Sequence, residues 1–86
     1  MEIIQERHDK TKAGLKQLLI ELINQNGFDS AIRWSEFAFE GKMKGTTIKG
    51  EILDHELHVE IDGWFEKRVV QQLRQSWQDL VTRGLV

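Results

Sequence analysis

The chain has 86 residues with 12 basic and 14 acidic side chains, no cysteine and no proline. That length specifies one domain with a modest core, of a size that removes about 60–65% of its unfolded surface from water. Without cysteine, neither a disulfide framework nor a thiolate metal centre is available, and with six basic and seven acidic residues in each half no basic footprint for a polyanion is encoded at the level of the whole chain.

The opening residues, Met1 to Arg7, lack the basic stretch and long apolar segment of a secretory leader. The longest purely apolar run, Leu18-Leu19-Ile20, is far short of a membrane span. A soluble, cytoplasmic protein is expected. After the short apolar start at Ile3-Ile4, which has room for a brief extra strand, Asp9 is positioned to cap a helix running to about Asn26, with Gly27 as its stop. Leu15, Leu18, Leu19, Leu22 and Ile23 fill the i, i+3, i+4, i+7, i+8 positions of one face. Asp29 to Ser35 reads as extended, because Ile32 and Trp34 alternate, until the phase breaks at Ser35-Glu36 in a bulge or a tight turn.

From Glu36 to Asp62 the pattern specifies a three-stranded antiparallel meander, with turns at Lys44-Gly45 and Asp54-His55. Two-residue turns there set Phe37 opposite Ile52, Phe39 opposite Gly50 and Gly41 opposite Ile48. The second hairpin sets Ile52 opposite Leu57, Gly50 opposite Val59 and Ile48 opposite Ile61. Both hairpins send the same middle-strand residues to one face, and a slip of one residue would turn that apolar set outward. Gly50 leaves room for the Phe39 ring to lie across the strand. The other face carries Glu40, Lys49 and Glu60 in one row and Ala38, Glu51 and His58 in the next, the pattern of a solvated sheet face. A second helix then runs from about Trp64 to Thr82, with Phe65, Val69, Leu73, Trp77 and Leu80 as its apolar stripe. The expected architecture is α+β: an antiparallel sheet of three to four strands with two helices on its apolar face, in the order α-β-β-β-α.

No residue set here has the spacing that known chemistry demands. His55-Glu56-Leu57-His58 resembles a zinc-protease motif with one residue missing, but that motif needs histidines at i and i+4 on a helix. In a hairpin the two imidazoles diverge, so a surface pairing of His58 with Glu51 is the expectation, and no metal site. His8 reads as a hydrogen-bonded boundary residue. Ser30, Ser35 and Ser76 have no nucleophile-elbow setting, and no carboxylate pair is expected in an apolar pocket. No enzyme and no cofactor are expected.

Two kinds of surface remain. The helix–three strands–helix order suggests a double-stranded RNA-binding domain, which grips phosphates with loops and a lysine cluster at the start of its second helix. Lys67 and Arg68 stand there, flanked by Asp62 and Glu66, while Lys42, Lys44 and Lys49 make the first hairpin locally basic beside Glu40 and Glu51. That charge is thin for a phosphate binder, so nucleic-acid binding is the second reading. The first is an apolar interface. Ile20, Val70 and Val81 lie off the main helical stripes, and Trp34 and Trp64 sit where a ring is only half covered. A wide core stripe would explain them, and so would a contact with a second copy or a partner protein, since aromatics are favoured anchors.

The succession of segments is similar to that of the polyhydroxyalkanoic acid system proteins, small bacterial proteins whose genes lie near polyester storage-granule genes. The resemblance is carried by Ile3-Ile4 before His8, Ile32-Arg33-Trp34, Phe37-Ala38-Phe39, Gly45-Thr46-Thr47-Ile48-Lys49-Gly50 and His58-Val59-Glu60-Ile61. The chain differs in its short Trp34–Phe37 turn and its bulky Trp64-Phe65 joint. The resemblance implies a cytoplasmic accessory or binding role around a granule and offers no established catalytic residues to carry over.

Overall fold

The computed structural model describes residues 1–27, 31–43 and 45–86. Its elements in chain order are β1 (Glu2–Arg7), α1 (Lys12–Gln25), β2 (Ile32–Ser35), β3 (Ala38–Met43), β4 (Thr46–Ile52), β5 (Glu56–Gly63) and α2 (Glu66–Thr82). The five strands form one antiparallel sheet in the order β1-β5-β4-β3-β2. Asp29, Ser30 and the basic candidate Lys44 lie outside the described residues.

The meander stands in the expected register: Phe39 faces Gly50, which faces Val59, and Gly41 faces Ile48, which faces Ile61. Phe37 meets Ile52 through a backbone hydrogen bond from Ile52 N–H to Phe37 O at 2.8 Å. The sheet, however, has five strands rather than three to four, and the order is β-α-β-β-β-β-α. Two local causes account for the difference. The phase break at Ser35-Glu36 is a tight turn: Ser35 pairs with Ala38, so Glu36-Phe37 form a two-residue reversal with Glu36 at φ 54°. At the N-terminus, the apolar pair Ile3-Ile4 extends into a six-residue strand because β5 would otherwise leave its outer backbone edge unpaired.

Alternation sorts the faces. Ile4, Phe39, Ile48, Ile52, Leu57, Val59 and Ile61 point inward to meet Leu15, Leu19 and Leu22 of α1 and Val69, Val70, Trp77 and Leu80 of α2. A Cβ at Gly50 would overlap the Phe39 ring, which confirms that the glycine exists to seat that ring. Leu18 and Leu73, expected in the stripes, are only half-buried.

Both helices start later than their sequence signals indicate. Thr11, not Asp9, caps α1, its hydroxyl accepting from Gly14 N–H at 3.0 Å. The delay has a cause in His8, which holds the chain extended against the β4–β5 turn. Its N–H donates to His55 O at 3.1 Å and its Nε2 lies 2.9 Å from Leu53 O. Nδ1 accepts from Lys10 N–H, so the buried ring has a partner on each nitrogen. α2 starts at Glu66 rather than Trp64, which frees Trp64 and Phe65 from the helix.

Candidate functional site

The joint between β5 and α2 is built by backbone packing. Thr46 has the same strand parity as Ile48 and so faces inward, where it is fully buried. Its hydroxyl accepts the Phe65 N–H at 2.9 Å, occupying a helix-end donor that no side-chain N-cap satisfies. Gly63 adopts φ 139°, and a Cβ there would run into the backbone of Gly45 and Thr46. Only glycine lets the end of β5 approach β4 so closely. The next residue is thereby turned out of the sheet, and Trp64 is 90% exposed. Phe65, expected to head the α2 stripe, is 41% exposed for the same reason.

Charge at this end of the sheet is arranged around the aromatic pair. The Met1 ammonium lies 3.1 Å from Glu66 Oε2 and 3.7 Å from Asp62 Oδ1. Contact with Glu66 is the chief cause raising that amine's pKa above its ordinary 8.0, with Asp62 and Glu2 adding to it. The acids flanking Trp64-Phe65 are thus drawn onto one cation. Lys67 and Arg68, exposed on the first turn of α2, and Lys42, exposed on β3, have no ion-pair partner among the described residues.

The remaining interface candidates do not gather at this tip. Trp34, half-buried on edge strand β2, stacks obliquely on Phe39 with ring centroids 4.9 Å apart. Its ring is also covered by the Lys16 ammonium at 5.2 Å, and Lys12 stands over Phe37 at 5.7 Å. Sequence reading missed this lid, although Lys12 and Lys16 are one helical turn apart on α1, a spacing that lays both along one face. Val70 is buried in the core at 8% exposure, so it belongs to a stripe wider than the sequence pattern indicates. Ile20 is half-buried on α1, and Val81 is 43% exposed near the far end of α2, about 22 Å of helix away from Glu66.

The outer sheet face carries alternating charge in register, Arg33, Glu40, Lys49 and Glu60 standing across successive strands. Lys49 Nζ lies 3.8 Å from Glu40, so this nucleic-acid candidate is held among acids. His58 occupies the next row opposite Glu51, but its close neighbour is Glu56 on its own strand, with Nε2 2.9 Å from Oε1. That approach lacks hydrogen-bond geometry, so His58 Nε2 has no hydrogen-bond partner among the described residues. Among the described residues no group of three His, Asp or Glu side chains is placed to hold a metal ion.

Concavities are of two kinds. An apolar cavity of about 50 Å³ lies between sheet and helices, bounded by Leu19, Ile23, Ile48, Leu57 and Trp77, with Glu6 at its edge. It is room for little more than a water-sized guest. The larger hollows are open: one of about 690 Å³ between α1 and α2, edged by Glu21, Gln72 and Ser76, and a trough of about 480 Å³ on the outer sheet face over Ser35 and Ala38. Neither combines an apolar lining with converging polar groups. No helix among the described residues is long and apolar enough to cross a membrane. Compared with family models, with curated proteins and with solved structures, this chain finds no match.

Proposed function

We propose that this chain is a non-enzymatic binding module that works through the aromatic tip at the β5–α2 joint. Its partner is a second copy, another protein or a storage-granule surface, the last being what the resemblance to polyhydroxyalkanoic acid system proteins implies. One observation carries the reading. Trp64 is 90% exposed, yet its backbone is fixed on both sides, by the Gly63 approach to Gly45 and by the Thr46–Phe65 hydrogen bond. An apolar ring exposed to water on a fixed backbone gains nothing for the fold, and a tryptophan is a favoured anchor of interfaces.

The test is solution mass and partner binding of the wild type and Trp64→Ser at low and high salt. Apolar association holds or strengthens as salt rises. A chain that stays monomeric throughout, and whose behaviour Trp64→Ser leaves unchanged toward every surface tried, contradicts the proposal.

A nucleic-acid module is the second reading, supported by the unpaired Lys42, Lys67 and Arg68. The two extra strands depart from the α-β-β-β-α order that suggested it. Its mark would be an RNA or DNA complex that weakens steeply with salt; absence of a complex at low salt removes it.

A further inference from the structure

The geometry points to an anionic lipid surface as the occupant of the Trp64 tip, with the protein standing on it by the β5–α2 end of its sheet. This inference rests on the reading above and specifies its partner.

Three observations converge. The first is shape. The apolar area that Trp64 and Phe65 expose is roughly 300 Å², with the 69% exposed Met1 at the same end of the sheet. A stable protein–protein contact uses about 800 Å² per partner with matched contours, and among the described residues the exposed large apolar side chains at this end are only Met1, Ile3, Trp64 and Phe65. A lipid interface asks for no matched contour and accepts a single projecting ring. The second is chemistry. Indole carries an apolar body and one N–H donor, and it settles where headgroups meet acyl chains. A ring aimed into solvent by a rigid joint is presented for that depth.

The third is charge. The molecule is acidic overall, at −2, whereas at the tip the Met1 ammonium, Lys67 and Arg68 offset Glu2, Asp62 and Glu66, three charges of each sign. Asp62 and Glu66 share the Met1 ammonium, while Lys67 and Arg68 stand unpaired on the α2 turn that follows the aromatics. Helical side chains lean toward the N-terminus of their helix, here toward Trp64. Both cations follow the aromatics within the first turn of α2, within reach of headgroup phosphates beside an inserted indole, and each basic residue near an anionic membrane strengthens binding about fivefold. Elsewhere among the described residues Lys12 pairs with Asp54, Lys49 with Glu40 and Arg83 with Asp79, while Arg7, Lys10, Arg33, Lys42 and Arg74 have no ion-pair partner, so Lys67 and Arg68 are set apart by their place beside the aromatics. Lys16 lies over Trp34.

The experiment is sedimentation of the full chain with vesicles of phosphatidylcholine and phosphatidylglycerol in equal parts, against phosphatidylcholine alone, with tryptophan emission as a second readout. Expected is binding to the mixed vesicles that falls with salt, accompanied by a blue shift. Trp64→Ser should weaken it at least about tenfold and abolish the shift, since Trp77 is buried already and Trp34 is covered. Lys67→Gln with Arg68→Gln should weaken it about thirtyfold toward the mixed vesicles and leave the weak binding to neutral vesicles unchanged. All three residues are exposed, so each variant should keep the wild-type circular dichroism spectrum. No binding to the mixed vesicles at low salt overturns the lipid assignment. If Trp64 instead governs a dimer or a protein complex, that assignment falls alone and the apolar-tip reading survives. Vesicle binding that Trp64→Ser leaves intact overturns both, and so does tighter binding to an RNA homopolymer through Lys67 and Arg68.

Discussion

Gly50 and Trp64 show how one residue is decided by what touches it. A Cβ at Gly50 meets the Phe39 ring, which is itself buried, so Gly50→Ala forces the ring off its site. Overpacking of this kind costs about 1–3 kcal/mol, read as a lower urea midpoint with unchanged slope. Trp64→Ser, by contrast, should leave the midpoint within about 0.5 kcal/mol, because a ring 90% exposed supports nothing. Loss of more than that would mean the indole packs against the fold. His8 lies between these cases. Removing its imidazole in His8→Ala strands the Leu53 carbonyl and the Lys10 N–H beside a buried site, for a loss of about 1–3 kcal/mol by the same measurement. The sequence marked all three positions but ranked them unevenly. Gly50 was fully legible because register put Phe39 opposite it; Trp64 was marked as half covered rather than bare, because the helix pattern counted Phe65 into a core stripe that begins only after the chain has turned.

Between residues and molecule, the boundaries of elements decide the site. α1 begins at Lys12, capped by Thr11, because His8 is pinned to the β4–β5 turn, and α2 begins at Glu66 because Thr46 and Gly63 hold the end of β5. Thr11→Ala should cost about 1 kcal/mol. Thr46→Val keeps the shape but removes the acceptor of the Phe65 N–H, so it should raise amide exchange at Phe65 and loosen the presentation of Trp64 before it unfolds the sheet. The β1–α2 contact through the Met1 amine makes a prediction with a definite sign. Its pKa is raised by folding, so the stabilisation is complete below the ordinary value of 8.0 and is lost as pH climbs through the raised one. Stability should therefore fall from neutral to alkaline pH, and acetylating the amine should flatten that slope. A slope unchanged by acetylation would place its cause elsewhere.

At the scale of the whole molecule the sheet has one covered and one open face, and charge divides between them. Helices cover the inner face, while alternating charges such as Glu40 and Lys49 keep the outer face wet. Among the described residues Trp64 is the most exposed large apolar side chain, with Ile3, Val81 and Leu85 exposed to a lesser degree, and this limits what association can look like. A tip contact buries little area, so it should be weak, reversible and dependent on Trp64, and insensitive to salt when the partner is a neutral apolar surface. Concentration-dependent mass measurements check this; a tight, Trp64-independent dimer would place the interface on an edge strand instead.

Local rules were enough for the meander. Alternation and turn residues fix which side of a strand faces the core, because the period is two and one slip reverses every side chain. They were enough, too, for two helices and for the absence of cysteine chemistry. Tertiary structure alone decided the rest. Whether Ile3-Ile4 becomes a full strand depends on the open edge of β5, some fifty residues away. Whether a tryptophan is core, lid-covered or bare depends on neighbours distant in sequence: Trp77 finds Leu19, Ile48 and the inner sheet, Trp34 finds Lys16, and Trp64 is turned out by Gly45 and Thr46. Composition counts three alike, and burial is a property of pairs of segments that sequence order does not list.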